Sequence, residues 1–163
     1  MRAYVGVGTN LGDRWRHLAQ AARGLRAAPG VALLRASRVY DTEPVGPPGQ
    51  GRYLNAALEI ETRLPPRPLL RLLQRIEEGA LRRRALRWGP RSLDLDLLLY
   101  AEVLLRTPEL TLPHPGLAER RFVLAPLAEL CPELVVPGAA VPVAELLRRA
   151  PPNELRIAGI FPA

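Results

Sequence analysis

YLNAALEIETRLPPRPLLRLLQRIEEGAL, residues 53–81, carries both hydrophobic periods that a mixed α and β fold needs. In Tyr53–Thr62 the residues Leu54, Ala56, Leu58 and Ile60 alternate with Asn55, Glu59 and Glu61, which predicts a half-buried strand. After Pro65, Pro66 and Pro68 the period lengthens. Leu69, Leu72, Leu73, Ile76 and Ala80 recur at helical spacing and predict a helix with one buried stripe; Leu70, Gln74, Glu77 and Leu81 form the stripe beside it. Towards the N-terminus, Gly46, Pro47, Pro48, Gly49 and Gly51 make a loop, and Val31–Val39 reads as extended. Before that, Trp15, Leu18, Ala22 and Leu25 repeat at helical spacing from Asp13 to a stop at Pro29 and Gly30, and residues 2–7 form a first strand that turns at Gly8. Towards the C-terminus an arginine-rich segment leads into a strand over Leu93–Tyr100. The tail from Pro113 is punctuated by prolines, with a short helix at Val143–Arg149. The order β-α-β-β-α-β is that of a ferredoxin-like α+β sandwich with a C-terminal extension.

No repeat or linker divides the 163 residues, so residues 1–163 are expected to form a single domain. A chain of that length buries roughly 70% of its unfolded surface, enough for a core without disulfides. The one cysteine, Cys131, has no partner to bridge to and reads as packing, as does Trp15. The first residues lack the apolar run of a secretion signal and no stretch is long and apolar enough to span a bilayer, which leads us to expect a soluble cytoplasmic protein without a membrane partner. The formal charge is +7, and every one of the 23 basic residues is arginine. Lysine chemistry is therefore excluded, and phosphate recognition must rest on guanidinium forks and backbone amides. The 18 prolines, with only three Asn and three Gln, suit a heat-adapted protein, although GC-rich coding would produce the same bias.

In S-L-D-L-D-L-L-L, Asp94 and Asp96 stand two residues apart on a strand, so they share one face and Leu93, Leu95 and Leu97 share the other. Their Cα atoms are then about 6.6 Å apart, a separation that suits carboxylates holding one or two Mg²⁺ ions. Taken alone, D-x-D also describes a solvated acidic edge. The arginines tip the balance: Arg82, Arg83, Arg84, Arg87 and Arg91 crowd the stretch just before it, interrupted by Trp88, Gly89 and Pro90. The first of them can also oppose a helix C-terminal dipole, but a flexible arginine segment beside a metal site is what a polyphosphate needs. Such a segment is expected to close over its substrates and shelter Trp88. Gly6-Val-Gly8-Thr9-Asn10-Leu11-Gly12 misses the dinucleotide spacing, because Leu11 stands where the third glycine belongs, and it reads as a strand-to-helix turn. His17 reads as a surface or packing residue, and His114 in L-P-H-P as a phosphate or leaving-group contact.

Five segments, V-G-V-G-T-N-L-G (5–12), Y-D-T-E-P-V-G (40–46), Y-L-N-A-A (53–57), R-W-G-P-R-S-L-D-L-D-L-L (87–98) and L-P-H-P-G-L-A-E-R-R-F-V-L-A-P-L (112–127), occur in one order along nearly the whole chain. Together they resemble the 6-hydroxymethyl-7,8-dihydropterin pyrophosphokinase family of folate biosynthesis, whose members move the βγ-pyrophosphoryl group of ATP onto a pterin alcohol and release AMP. The resemblance implies magnesium ligands at Asp94 and Asp96, with two ions, and catalytic roles for these two and for Arg82 and Arg91. It implies pterin contacts at Thr42, Pro44, Val45, Tyr53, Asn55, Trp88 and Phe122, the rings of Tyr53 and Phe122 sandwiching the pterin. It implies contacts to ATP, the co-substrate, at Leu70, Gln74, Glu77, Arg83, Arg87, Arg91, Leu97, Thr111, His114 and Arg120. One departure stands out. The family's Gly-Arg-x-Arg falls on Ala80, Leu81 and Arg83, which leaves Arg82 or Arg84 to supply the first arginine.

The implied reaction is in-line attack of the hydroxymethyl oxygen on the β-phosphorus, with metal and arginines neutralising charge and no side chain standing out as general base. Two rivals remain. An RNA-binding module of the same topology needs exposed aromatics in a basic run on its strands, and none is present, so no nucleic-acid partner is expected. A Mg²⁺-dependent nucleotidyltransferase also uses D-x-D but releases pyrophosphate. A monomer is the favoured working unit.

Overall fold

The computed structural model describes residues 1–44, 49–81 and 92–162. The expectations placed on Val45, Arg82, Arg83, Arg87, Trp88 and Arg91, and on closure of the segment holding the last five, lie outside the described residues.

Strand β4 (Tyr53–Thr62) is the spine of the sheet. Along one edge β1 (Arg2–Thr9) pairs with it antiparallel over its full length, Arg2 opposite Glu61 and Thr9 opposite Leu54, and β5 (Asp94–Tyr100) lies outside β1. Along the other edge β2 (Val31–Ala36) takes the distal half of β4 and β3 (Val39–Thr42) the half that begins at Tyr53. The sequence predicts one extended segment here. The structure breaks it at Ser37, where a side chain replaces a ladder group: the buried hydroxyl accepts the Ala57 N–H at 2.8 Å and donates to the Arg38 carbonyl. Strand β8 (Leu155–Gly159) closes the sheet beside β3.

Two helices cover one face. In α1 (Arg14–Ala27), Asp13 caps the first turn by accepting the Arg16 N–H at 3.1 Å. Helix α2 (Pro66–Leu81) begins on a proline, whose fixed φ suits a first turn and whose missing N–H costs nothing there. Leu18, Ala22 and Leu25 of α1 and Leu69, Leu72 and Leu73 of α2 join Val5, Leu58, Ile60, Leu95 and Leu97 in one buried cluster. Each buried leucine contributes about 1.5–3 kcal/mol by leaving water. With β2 and β3 counted as one interrupted edge strand, the order is β-α-β-β-α-β, and with the sheet order β5-β1-β4 flanked by that edge it is the ferredoxin-like sandwich, as the sequence predicts.

The expectation of a half-buried β4 needs correction, since Leu54 through Ile60 are all buried. The C-terminal extension supplies a third layer: α3 (Arg121–Leu130) and α4 (Val143–Arg149) pack Leu124, Leu127 and Leu146 against Tyr4, Ala57, Leu98 and Leu99 on the other face of the sheet. Glu59 is only 1% exposed beneath this layer, and its charge is held by Arg2 and by Arg35, whose Nε donates at 2.6 Å. A second nitrogen of Arg35 donates to the Leu130 carbonyl at 2.6 Å, tying the end of α3 to the sheet. Trp15 is also corrected: it is 38% exposed, its indole edge lying over the backbone of Gly159 rather than in the core. His17 and Cys131 are buried, as packing residues. Among the described residues no helix is long and apolar enough to cross a membrane.

Candidate active site

Strand β5 delivers the acidic pair as its period dictates. Leu93, Leu95 and Leu97 point into the cluster under α1 and α2, while half-buried Asp94 and exposed Asp96 lie on the opposite face. Opposite them on β1, Gly8 pairs with Asp94 and Gly6 with Asp96, so the floor beside the carboxylates carries no side chains. Gly6 lies in the strand that the sequence predicts, but Gly8 is also a strand residue of β1 and not the start of the turn. A Cβ on Gly8 would stand 3.0 Å from Asn55 Oδ1.

That bare floor opens into a cleft of about 480 Å³. Thr42, Tyr53, Asn55, Asp94, Asp96, Arg120 and Phe122 all line it, although they come from β3, β4, β5 and the start of α3. Asn55 Nδ2 donates to Thr42 Oγ1 at 2.7 Å, and both residues are buried. Burial, and then the charge of Asp94, raises the pKa of the Tyr53 phenol. Pro44 is half-buried just beyond Glu43, which lines the cleft where Pro44 does not. The sequence reading missed one wall, Pro151, Pro152 and Asn153, from the connection between α4 and β8. Its A-P-P-N composition is legible as a stiff connection, but nothing local says which surface it meets.

A second hollow of about 280 Å³ lies on the other side of Asp96. Leu70 of α2, Leu97 of β5, Thr111 and His114 line it, joined by Thr107–Leu110, the bend between the two-stranded ribbon β6 (Leu105–Arg106) and β7 (Thr111–Leu112). Gln74 is exposed and Glu77 holds the Leu95 N–H at 2.7 Å, which fixes the start of β5 to α2; neither lines this hollow. Arg120 lines the first cleft rather than the second. It lies close under Gly116, where a Cβ would meet its guanidinium at 2.8 Å.

His114 lines the second hollow beside Asp96. Its Nδ1 accepts the Gly116 N–H at 3.1 Å, so its neutral form carries the proton on Nε2, which stands 4.0 Å from Asp96 Oδ1. Burial lowers its pKa, Asp96 pulls the other way and Arg120 adds to the lowering. The arrangement presents a neutral imidazole donor from the smaller hollow towards Asp96, beyond which lies the cleft with its two aromatic rings.

Comparison with known proteins bears on what this pair of hollows serves. The sequence model for 7,8-dihydro-6-hydroxymethylpterin-pyrophosphokinase matches residues 4–132. The 2-amino-4-hydroxy-6-hydroxymethyldihydropteridine pyrophosphokinase of Bacillus subtilis is 46% identical over 132 residues, covering 81% of this chain and 79% of that protein. The protein of the same name from Methylorubrum extorquens is 44% identical over 140 residues, covering 86% and 89%. Among solved structures, wild-type HPPK-DHPS of Plasmodium falciparum with pteroate superposes with a TM-score of 0.72 at 12% identity, a likeness of fold. It covers 91% of this chain, which spans 44% of that longer one. The matched stretch runs from β1 through α3 and takes in the acidic pair, both aromatic rings and His114, so the chain belongs to the 7,8-dihydro-6-hydroxymethylpterin-pyrophosphokinase family.

Proposed function

We propose that this chain transfers the βγ-pyrophosphoryl group of ATP to the hydroxymethyl group of 6-hydroxymethyl-7,8-dihydropterin and releases AMP, a step of folate biosynthesis. The observation that carries the reading is the position of Asp96, which lines both hollows. A group passed from a nucleotide in one to an alcohol in the other must cross that point.

In this reading the pterin lies in the larger cleft between Tyr53 and Phe122, with Pro44, Val45 and Trp88 completing its surround. Asn55 gives its amide N–H to Thr42, and its Oδ1 makes no hydrogen bond among the described residues, which leaves an acceptor for the pterin's N–H edge. ATP takes the smaller hollow, its base against Leu70, Leu97 and Thr111, with Gln74 and Glu77 at the margin. His114, Arg120, Arg82, Arg83, Arg87 and Arg91 serve its phosphates. The hydroxymethyl oxygen bonds to the β-phosphorus as the bond to the α-phosphate oxygen breaks, and AMP departs. Positioning the two substrates in line accounts for most of the acceleration.

The donor set fits Mg²⁺. Two carboxylates share a strand face, and no cluster of three or more His, Cys, Asp or Glu suited to a metal occurs among the described residues. Phosphate oxygens and water would fill the remaining positions, the usual arrangement for this ion. Asp94 and Asp96 would hold it, two ions in all, and when bound it neutralises charge on the transferring phosphates. Residues 1–163 act as a single catalytic domain, and as a monomer, since one chain lines both hollows. The setting is the cytoplasm, where ATP and Mg²⁺ are at hand.

The test is incubation with ATP, Mg²⁺ and the pterin alcohol. AMP and the pterin diphosphate are expected in equal amounts; pyrophosphate would indicate a nucleotidyltransferase, and no product would overturn the proposal. The RNA-binding rival finds no support, because Tyr4, Tyr40 and Tyr100 on the strands are buried, and Tyr53 alone is not the cluster of exposed strand aromatics on which successive bases stack.

A further inference from the structure

We infer that Arg52 is a positioning residue for the pterin cleft, a hub that braces the end of β3 against the start of β4 at the rim, an inference that rests on the pyrophosphoryl-transfer reading above. Thr42 opposite Tyr53 is the last rung between β3 and β4. Beyond it no further ladder holds the two chains together, yet both residues line the cleft. Arg52, next to Tyr53, reaches back across this end. Its Nε donates to Asp41 Oδ1 and its Nη2 reaches the Asp41 carbonyl at 3.5 Å, so the residue before Thr42 is gripped at side chain and backbone. Its Nη1 stands 3.8 Å from Glu43, the residue after Thr42.

The pair is braced in turn from α1: Arg14, the first residue of that helix, donates to the Arg52 carbonyl at 3.1 Å and stands 4.0 Å from the second Asp41 oxygen.

The Asp41–Arg52 pair is partly exposed and contributes little to folding, since β1 holds β4 from Leu54 to Glu61 without it. What it controls is local. Without it the start of β4 loses its brace against β3, whose Thr42 stays held by β8 and by Asn55, and Tyr53 departs from the geometry that a flat ring between it and Phe122 requires, while the second hollow, on the far side of Asp96, is untouched.

The experiment measures initial rates with the full chain, varying each substrate in turn. For Arg52→Gln we expect the KM for the pterin alcohol to rise about fivefold, with kcat and the KM for ATP changing less than about twofold. Arg52→Lys, which keeps the charge but loses the fork, should recover most of that rise. Asp41→Asn should reproduce it, and joining it to Arg52→Gln should add little. Arg148→Gln, which breaks a comparable exposed pair with Glu145 on α4, should leave both KM values unchanged. Circular dichroism checks each fold, and Asp41→Asn carries the test if Arg52→Gln does not fold. An unchanged pterin KM, or equal rises for pterin and ATP, would overturn the hub. Failure of the wild type to form AMP would overturn the function reading and this inference with it; normal wild-type turnover with unmoved KM values overturns the hub alone.

Discussion

Replacing Gly8 by alanine should separate ligand binding from stability. The new methyl would stand 3.0 Å from Asn55 Oδ1 and 3.9 Å from Tyr53 Cδ1, so the Asn55 amide must retreat by a few tenths of an ångström. It has little room. Asn55 is 8% exposed and its nitrogen is tethered to Thr42 Oγ1 at 2.7 Å, so retreat means breaking that bond and turning Oδ1 away from the cleft. The lost internal bond costs about 1 kcal/mol, and a misdirected acceptor removes about as much again from pterin binding. The first is a cost to folding; the second, about 1 kcal/mol, corresponds to a pterin Kd weaker by roughly fivefold. Stability should hardly move, because alanine in a strand interior regains about 0.5–1 kcal/mol of the conformational entropy that glycine loses on folding. Calorimetric titration with the pterin alcohol and with an ATP analogue, together with a thermal melt, reads all three quantities. We expect a weakened pterin, an unchanged nucleotide and a Tm within about 4 °C of wild type. A pterin Kd within about twofold of wild type would show that Asn55 is not at the pterin, and the assignment of the larger cleft would lose its main polar contact.

Asp96→Asn should leave the melt intact and lower turnover by about 100-fold or more at saturating Mg²⁺; retention of more than about a tenth of wild-type activity would remove Asp96 from the metal site. Phe122→Ala should weaken the pterin by about tenfold, from lost burial and about 0.5–1.5 kcal/mol of ring contact, with the nucleotide unaffected; equal losses in calorimetry would place Phe122 outside the pterin surround. Gly24→Ala places a methyl 2.8 Å from Ile76 where α1 meets α2, and should cost about 1–3 kcal/mol by denaturant melt with both KM values unchanged. A melt equal to wild type would show that the two helices can separate there without penalty.

The first sandwich was legible because its signals are local. Leu54, Ala56, Leu58 and Ile60 repeat every second residue and Leu69, Leu73 and Ile76 follow a helical stripe, and each set alone reveals its element. Asp94 and Asp96 were legible for the same reason, since period two places them together on any strand. The third layer was not legible, because it reaches β4 from residues 121–149, and Glu59 looks like a solvent residue until Arg2 and Arg35 are known to neutralise it. Gly6 falls inside the strand that the sequence predicts, while Gly8 reads as its turn because a glycine near a helix start resembles one. Their actual role, leaving a strand face bare, appears only when Asp94 and Asp96 are seen opposite. Pro151–Asn153 and the Asp41–Arg52 pair are long-range in the same sense: the charges are visible in the chain, and their partners are not.

The cleft exists because the third layer stops short. Helix α3 is anchored at its C-terminal end, where Arg35 holds the Leu130 carbonyl and Arg38 holds the Glu129 carboxylate, and both arginines belong to the β2–β3 side of the sheet. That fixes the helix over Ala57 and Glu59 and leaves its first turn, with Phe122, at the border of the uncovered half. The uncovered half is the one where a cover is costly, since exposed Asp96 would lose water there. The glycines of β1 keep this half low, so a flat ring can lie on it, and Arg120 at the helix start brings positive charge to its rim. Ion pairs at one end of α3 thus define the opening at the other. A substitution at Arg35 should therefore act on the cleft by letting the helix shift, although no atom of Arg35 touches it.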